Sequence, residues 1–283
     1  MRKVPVKIRQ IVAAVSLVSA FLVFLLPAVI FSVDFVVVYS NELLFAAVLI
    51  ALVPSAVLDY LNHKWVSMIE RQMPLLVKGV SESQVTGLTI VKSFDKVVEG
   101  RMVGKPLADE VRRITLRMAW GASFEQALSE FKARVGSPIV SRFCALVLEA
   151  SRSGGQIKKV FTGTAGFMEE MKQIDEDTSA QMRPYVVVIY AAFLVFLFTA
   201  VILVQSFFAP LEGYGQILSQ YTITGVREFK DFFYKNMIVS AVTGGLMAGK
   251  IGERRAAGGL KHAIVLVLVG YATFFIMTPP NWM

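Results

Sequence analysis

The sequence predicts an all-α integral membrane protein, with about five transmembrane helices and a six-helix cytoplasmic bundle inserted between the second and third. Three observations carry that expectation. The 283 residues are 55% hydrophobic and only 18% charged, with a mean hydropathy of +0.60, where a soluble domain has roughly 45–50% apolar and 25% charged residues. The apolar residues gather in charge-free blocks. Between two of those blocks lies a stretch of soluble composition whose apolar residues recur every three or four positions. So much apolar surface excludes a disordered chain as firmly as the shortage of charge excludes a soluble one.

The spans come in order. Ile11 to Phe31 holds no charge and is long enough to cross, since about 20 helical residues span the hydrocarbon core. It follows Arg2, Lys3, Lys7 and Arg9, as a signal peptide would, but it is longer than a signal core and no small-residue cleavage site follows. It reads as an uncleaved anchor. Leu43 to Leu58 is the second span and closes an N-terminal part, residues 1–58. Tyr185 to Phe208 opens the C-terminal part, residues 185–283, in which Met237 to Gly249 and Ala263 to Met277 are shorter and fit thin or packed positions. Lysine and arginine set the orientation. They number 4 in the N-terminal tail, none in 32–42, 18 in 59–184, 3 in 209–236 and 4 in 250–261. The tail, the 59–184 region and the 250–261 loop are therefore expected in the cytoplasm, with the chain in the cell membrane and its Pro279-Pro280-Asn281-Trp282 end outside.

Residues 59–184 carry 18 basic and 15 acidic residues. Their apolar positions form stripes at helical spacing, each on one face. These are Ile69, Met73, Leu76 and Val80; Ile90, Phe94 and Val97; Leu107, Val111, Ile114 and Met118; Phe124, Leu128, Phe131 and Val135; Ile139, Phe143, Leu146 and Ala150; and, more loosely, Ile157, Val160, Thr164 and Met168. Six short amphipathic helices are the expected solution. Ser123 followed by Gln126 has the form of a capping box. Gly136 with Ser137-Pro138 separates the fourth helix from the fifth, and Gly154-Gly155 ends the fifth. A faint repeat runs through the region: Pro74-Leu75 leads to Gly87-Leu88-Thr89-Ile90 as Pro106-Leu107 leads to Gly121-Ala122-Ser123-Phe124.

At these residues the sequence resembles the F-type domain of type II secretion and type IV pilus platform proteins. The runs that carry the likeness are Pro74-Leu75-Leu76, Gly87-Leu88-Thr89, Gly104-Lys105-Pro106-Leu107-Ala108-Asp109-Glu110, Trp120 through Leu128 with its Gly121, Glu125 and Leu128, and Leu148-Glu149-Ala150-Ser151-Arg152-Ser153-Gly154-Gly155. The tail Gly249-Lys250-Ile251-Gly252 with Gly258-Gly259-Leu260-Lys261-His262-Ala263 resembles the archaeal branch, which includes archaellum and Tad-like pilus platforms. The resemblance implies a membrane scaffold, without catalytic residues or cofactor, that sits above a hexameric motor ATPase and transmits its motion to pilin-like subunits. Many relatives carry two copies of the domain and this chain one, so its partner is expected to be itself or a second F-type platform subunit.

Candidate functional residues are few. Gly244 through Lys250 fits part of a nucleotide-binding P-loop, but Ile251 stands where a Ser or Thr should hold magnesium, and the glycines lie in a span. Gly245 and Gly249 have instead the four-residue spacing that lets helices approach. Asp109, Arg113 and Arg117 share a helix face with Arg112 beside them. They form either a solvated face or, with Arg152, Lys158 and Lys159, a docking surface for the motor. The net charge of +8 sits beside the membrane, where topology and anionic lipid account for it without nucleic acid. Glu149 and Glu125 have no catalytic partner in sequence; a buried structural carboxylate is the expectation for Glu149, an interface contact the other reading. Cys144 lies on an apolar face. With one cysteine and two histidines, His63 and His262, no disulfide and no metal cluster is expected. His262 is expected to cap a helix or meet lipid headgroups. The other function classes are a permease energised by a separate ATPase, for which the spans hold too few polar groups, and a membrane-surface enzyme, for which acid–base clusters are lacking.

Overall fold

The computed structural model describes residues 6–30, 36, 39–152, 157–208, 210 and 220–277. Among them the regular elements are helical and none is a strand. In chain order they are α1 (Val6–Ile30), α2 (Ser40–Val85), α3 (Ile90–Glu99), α4 (Leu107–Ala119), α5 (Phe124–Val135), α6 (Pro138–Arg152), α7 (Ile157–Leu203), α8 (Gln220–Gly252) and α9 (Gly259–Met277). A π turn, Val204–Phe208, extends α7, and a 3-10 turn, Ala256–Gly258, links α8 to α9.

Among the described residues, four helical stretches are long and apolar enough to cross a bilayer: Ile8–Ile30, Ser40–Val85, Gly166–Ser206 and Ala256–Ile276. The Met237–Gly249 stretch lies inside α8, which is not among them. Its apolar run is bounded by Lys235 and Lys250, and at 1.5 Å per residue it covers only about 20 Å.

The expected bundle of six short helices takes a different form. Only α3 to α6 stand alone; the first and last stripes are the ends of α2 and α7, which run unbroken out of the apolar segments. No glycine or proline lies between Leu58 and Ile69, and only Pro184 lies between Met168 and Tyr185. Apart from Pro184, which α7 takes into its interior, those boundaries carry no glycine or proline to stop the helix.

The chain divides into two compact units. The first, Leu61–Thr178, has a continuous core in which Ile69, Met73, Leu76 and Val80 of α2 meet Phe94 and Val97 of α3, Leu107, Val111 and Ile114 of α4, Leu128, Phe131 and Val135 of α5, and Phe143 and Val147 of α6. All but Val147 are positions that the helical period selects; on α6 the expected stripe is displaced, with Val140, Phe143, Cys144 and Val147 buried and Leu146 exposed. Cys144 is fully buried in the same core, and burial pushes its thiol up to about 12.

The second unit joins α1, the first half of α2, the second half of α7, α8 and α9. Its core packs Phe193, Leu197 and Ala200 against Tyr234, Met237, Ile238 and Ala241 of α8 and Leu266, Val267 and Phe274 of α9. The α8–α9 hairpin is close enough to leave no room for side chains at its crossing. A Cβ on Gly245 would overlap the Ala263 backbone, and one on Gly249 would overlap Gly259. Along α1, large apolar side chains such as Val18, Phe21 and Val29 are exposed, as a lipid-facing helix requires.

Candidate docking face of the helical domain

The α4–α5 pair is an antiparallel hairpin tied by charge. Glu110, buried on α4, accepts from Arg134 Nε of α5 at 2.8 Å and from Arg113 Nη1 at 3.1 Å. Nearer the tip, Arg117 bonds Glu130, which Arg134 also approaches at 3.5 Å. The hydrogen bond from Arg117, and then its charge, hold the Glu130 carboxyl below the usual carboxylate range; the same pairing raises Arg117. Both partners are solvent-exposed, so this pair is screened and adds little stability.

Two turns in this unit are built alike. At the end of α2, Gly87 has φ +86°; Leu88 N–H bonds the Ser83 carbonyl and Gly87 N–H the Gln84 carbonyl. At the end of α4, Gly121 has φ +90°, with Ala122 N–H to Arg117 and Gly121 N–H to Met118. Both are Schellman closures, which need a left-handed residue after the helix. Two positions on, Thr89 and Ser123 cap α3 and α5, and the capping box between Ser123 and Gln126 is complete. The faint repeat is thus a repeated stop–turn–start device. Arg101 takes the same left-handed place after α3, at φ +52°, with Met102 N–H to Val97 and Arg101 N–H to Val98.

Of the basic docking candidates, Arg113 and Arg117 are engaged within the hairpin, and Arg112 is exposed with no ion pair among the described residues. Arg152 ends α6 and Lys158 and Lys159 begin α7, but their side chains lie outside the described residues, as do Gly154 and Gly155 altogether. The structure adds a residue that charge alone did not select. Trp120, at the end of α4, is 87% exposed, and Leu116 one turn earlier is 57% exposed.

Residues 80–205 match the family described as Type II secretion system (T2SS), protein F. The match covers somewhat less than half of the chain and supports a domain of the type II secretion F and type IV pilus platform family there. It is also 23% identical over 236 residues to an uncharacterized protein of Methanocaldococcus jannaschii, an alignment covering 83% of this chain and 38% of that protein. The chain therefore spans well under half the length of this relative. No solved structure matches. The F-domain match runs from the last turns of α2 to the π turn after α7, and together with the apolar helices it supports a multi-pass membrane protein related to secretion- or pilus-type machinery.

Within the helical unit the motif residues have local jobs. Pro74 is buried in α2, and Pro106 stands at the start of α4. Gly104 N–H bonds the Gln72 side chain at 2.6 Å, tying the α3–α4 connection to α2. Leu128 is in the core, and Glu125 is half-buried. Glu149 is exposed on α6, which corrects the expectation of a buried carboxylate: it falls two residues after buried Val147, and the helical turn carries it off the core face. Buried Ser137 donates to Glu70 at 2.5 Å while its oxygen caps α6 by accepting from Val140 N–H.

In the other unit, His262 Nδ1 and the Tyr190 hydroxyl are hydrogen-bonded at 2.8 Å. Buried Asp59 accepts from Arg255 at 3.0 Å and faces Arg9 at 3.8 Å, joining α2 to α1 and to the α8–α9 turn. Sequence reasoning passed over Asp59, although a lone carboxylate ending a charge-free span opposite basic flanks is a usable signal.

Proposed function

We propose that this chain is the platform subunit of a type IV pilus-like, archaellum-like or type II secretion assembly machine. It couples a cytoplasmic hexameric motor ATPase to the movement of pilin-like subunits. The observation that carries the reading is the F domain together with an exposed arginine and tryptophan face on a rigid, ion-paired hairpin. In this reading five spans seat the pilin in the cytoplasmic membrane, the fifth being the short α8 segment. The N-terminus and the 59–184 region lie in the cytoplasm, as the lysine and arginine distribution favours. The tail glycine pattern and the Methanocaldococcus relative support the archaellum- and Tad-like branch. Its partner in the platform is a second copy of itself or a second F-type subunit. The chain itself performs no catalysis: the motor hydrolyses ATP and the platform moves.

The test is a pull-down of the detergent-purified chain with its cognate motor ATPase. The expected result is salt-sensitive binding, with no ATP hydrolysis by the chain alone. Failure to bind at both low and moderate salt removes the docking role.

A further inference from the structure

Arg112, Leu116 and Trp120 are spaced four residues apart along α4, which places them in one row on one helix face. That row points away from the core, which α4 meets through Leu107, Val111 and Ile114. Trp120 is not a loose terminal side chain. Its own N–H closes onto the Leu116 carbonyl at 3.0 Å, and the Schellman bonds of Gly121 and Ala122 follow immediately. The backbone therefore fixes the Cα–Cβ direction of a tryptophan whose indole the domain does not bury.

Exposing such a ring leaves roughly 150–250 Å² of mostly apolar surface in water, and tryptophan with arginine is the composition of binding hot spots. Charge narrows the occupant. Arg113 and Arg117 are partly neutralised by Glu110 and Glu130, whereas Arg112, in the same row as the indole, has no such partner among the described residues. The location favours a cytoplasmic protein over a bilayer. Phe124, just after the Trp120 turn, lies with its ring 6.3 Å from that of Phe94, in the second turn of α3 and close to the α2–α3 connection at Gly87. The tip thus sits on the side of the helical unit that holds the polar C-terminal end of α2.

We propose that Trp120, flanked by Leu116 and Arg112, is the anchor by which the helical domain seats a cytoplasmic protein presenting an apolar pocket rimmed by carboxylates. Under the platform reading, on which this inference rests, that protein is the motor ATPase. The hairpin that carries the anchor is held by buried Glu110 with Arg134.

The experiment uses the full chain in detergent, with the purified motor ATPase as probe. Affinity is measured for the parent and for Trp120→Ala, Trp120→Phe, Arg112→Glu and Arg112→Lys. Trp120→Ala and Arg112→Glu are expected to weaken binding about thirtyfold or more, the size of a hot-spot loss. Trp120→Phe and Arg112→Lys are expected to keep most of it. The Trp120 emission, taken as parent minus Trp120→Phe, is expected to shift to the blue and become shielded from acrylamide when the ATPase is added. If the ATPase binds all four variants as tightly as the parent, the anchor is wrong and the platform reading stands. If the ATPase does not bind the parent, both fall. If the Trp120 emission shifts with anionic-lipid vesicles and not with the ATPase, the face is a membrane contact and the inference is overturned. Circular dichroism of each variant verifies that a surface substitution leaves the helices intact.

Discussion

Removing the Glu110 carboxylate tests whether the charged hairpin is what holds the candidate face in shape. The side chain is 6% exposed and accepts from Arg134 at 2.8 Å and Arg113 at 3.1 Å. In Glu110→Ala, Arg113, 47% exposed, turns to water at little cost, whereas Arg134, 30% exposed, keeps only the longer 3.5 Å contact to Glu130 among these pairs. Breaking a fully buried ion pair costs about 3–5 kcal/mol. Partial exposure and that remaining contact reduce the expectation to about 2–3 kcal/mol. Unfolding is followed by the emission of Trp65, a core residue of the same unit, in full chain carrying Trp120→Phe and Trp282→Phe and titrated with guanidinium. A double-mutant cycle should give a coupling of about 1.5–2 kcal/mol to Arg134 and under about 0.5 kcal/mol to Arg113. Stronger coupling to Arg113 than to Arg134, or a Glu110→Ala loss below about 0.5 kcal/mol, would refute this account of the hairpin.

Three further expectations concern the backbone and the core. A non-glycine residue in the left-handed region is held there at a cost of about 1–2 kcal/mol, so Arg101→Gly should stabilise the domain by about 1 kcal/mol while Gly121→Ala destabilises it by a similar amount; guanidinium midpoints decide, and equal shifts of one sign would contradict the turn assignment. Gly249→Ala pushes a methyl into the Gly259 backbone and should cost about 1–3 kcal/mol or more, visible as lost thermal stability in detergent, whereas Gly166→Ala on α7, with open space around it, should be neutral or slightly stabilising. Cys144, buried and with its thiol pushed up to about 12, should resist alkylation at pH 8 until the domain unfolds, because the thiolate is the reactive form; rapid labelling of folded protein would show that the core is open there.

Much of the fold was legible because it rests on local rules. The period-3.6 stripes name the core residues of the helical unit, and hydroxyl caps and left-handed glycines mark α3 and α5. Gly245 and Gly249 could be picked out because close helix approach needs the absence of a side chain. What escaped the sequence is non-local or negative. A stripe tells which face of a helix is buried and says nothing about where the helix ends, so the continuity of α2 and α7 through their polar–apolar boundaries was hidden. Glu110 meets Arg134 across 24 positions, and Gly104 meets Gln72 across 32; no spacing rule reaches that far. On the candidate face, charge pointed to Arg113 and Arg117, which the fold pairs with carboxylates of the same hairpin. Trp120 read as part of a motif, and only its exposure in the structure separates it from a core aromatic.

The central claim is that motor work passes through the helical domain into the membrane helices. It is tested most directly by spin labels on cysteines introduced at exposed Ser129 and Lys250, one in each unit, in chain reconstituted with its motor ATPase. Buried Cys144 stays unlabelled under these conditions. The account predicts that the interlabel distance distribution changes during ATP turnover and returns when ATP is exhausted, and that it does not respond to ATP without the motor. An unchanged distribution while the bound motor is hydrolysing ATP would contradict it.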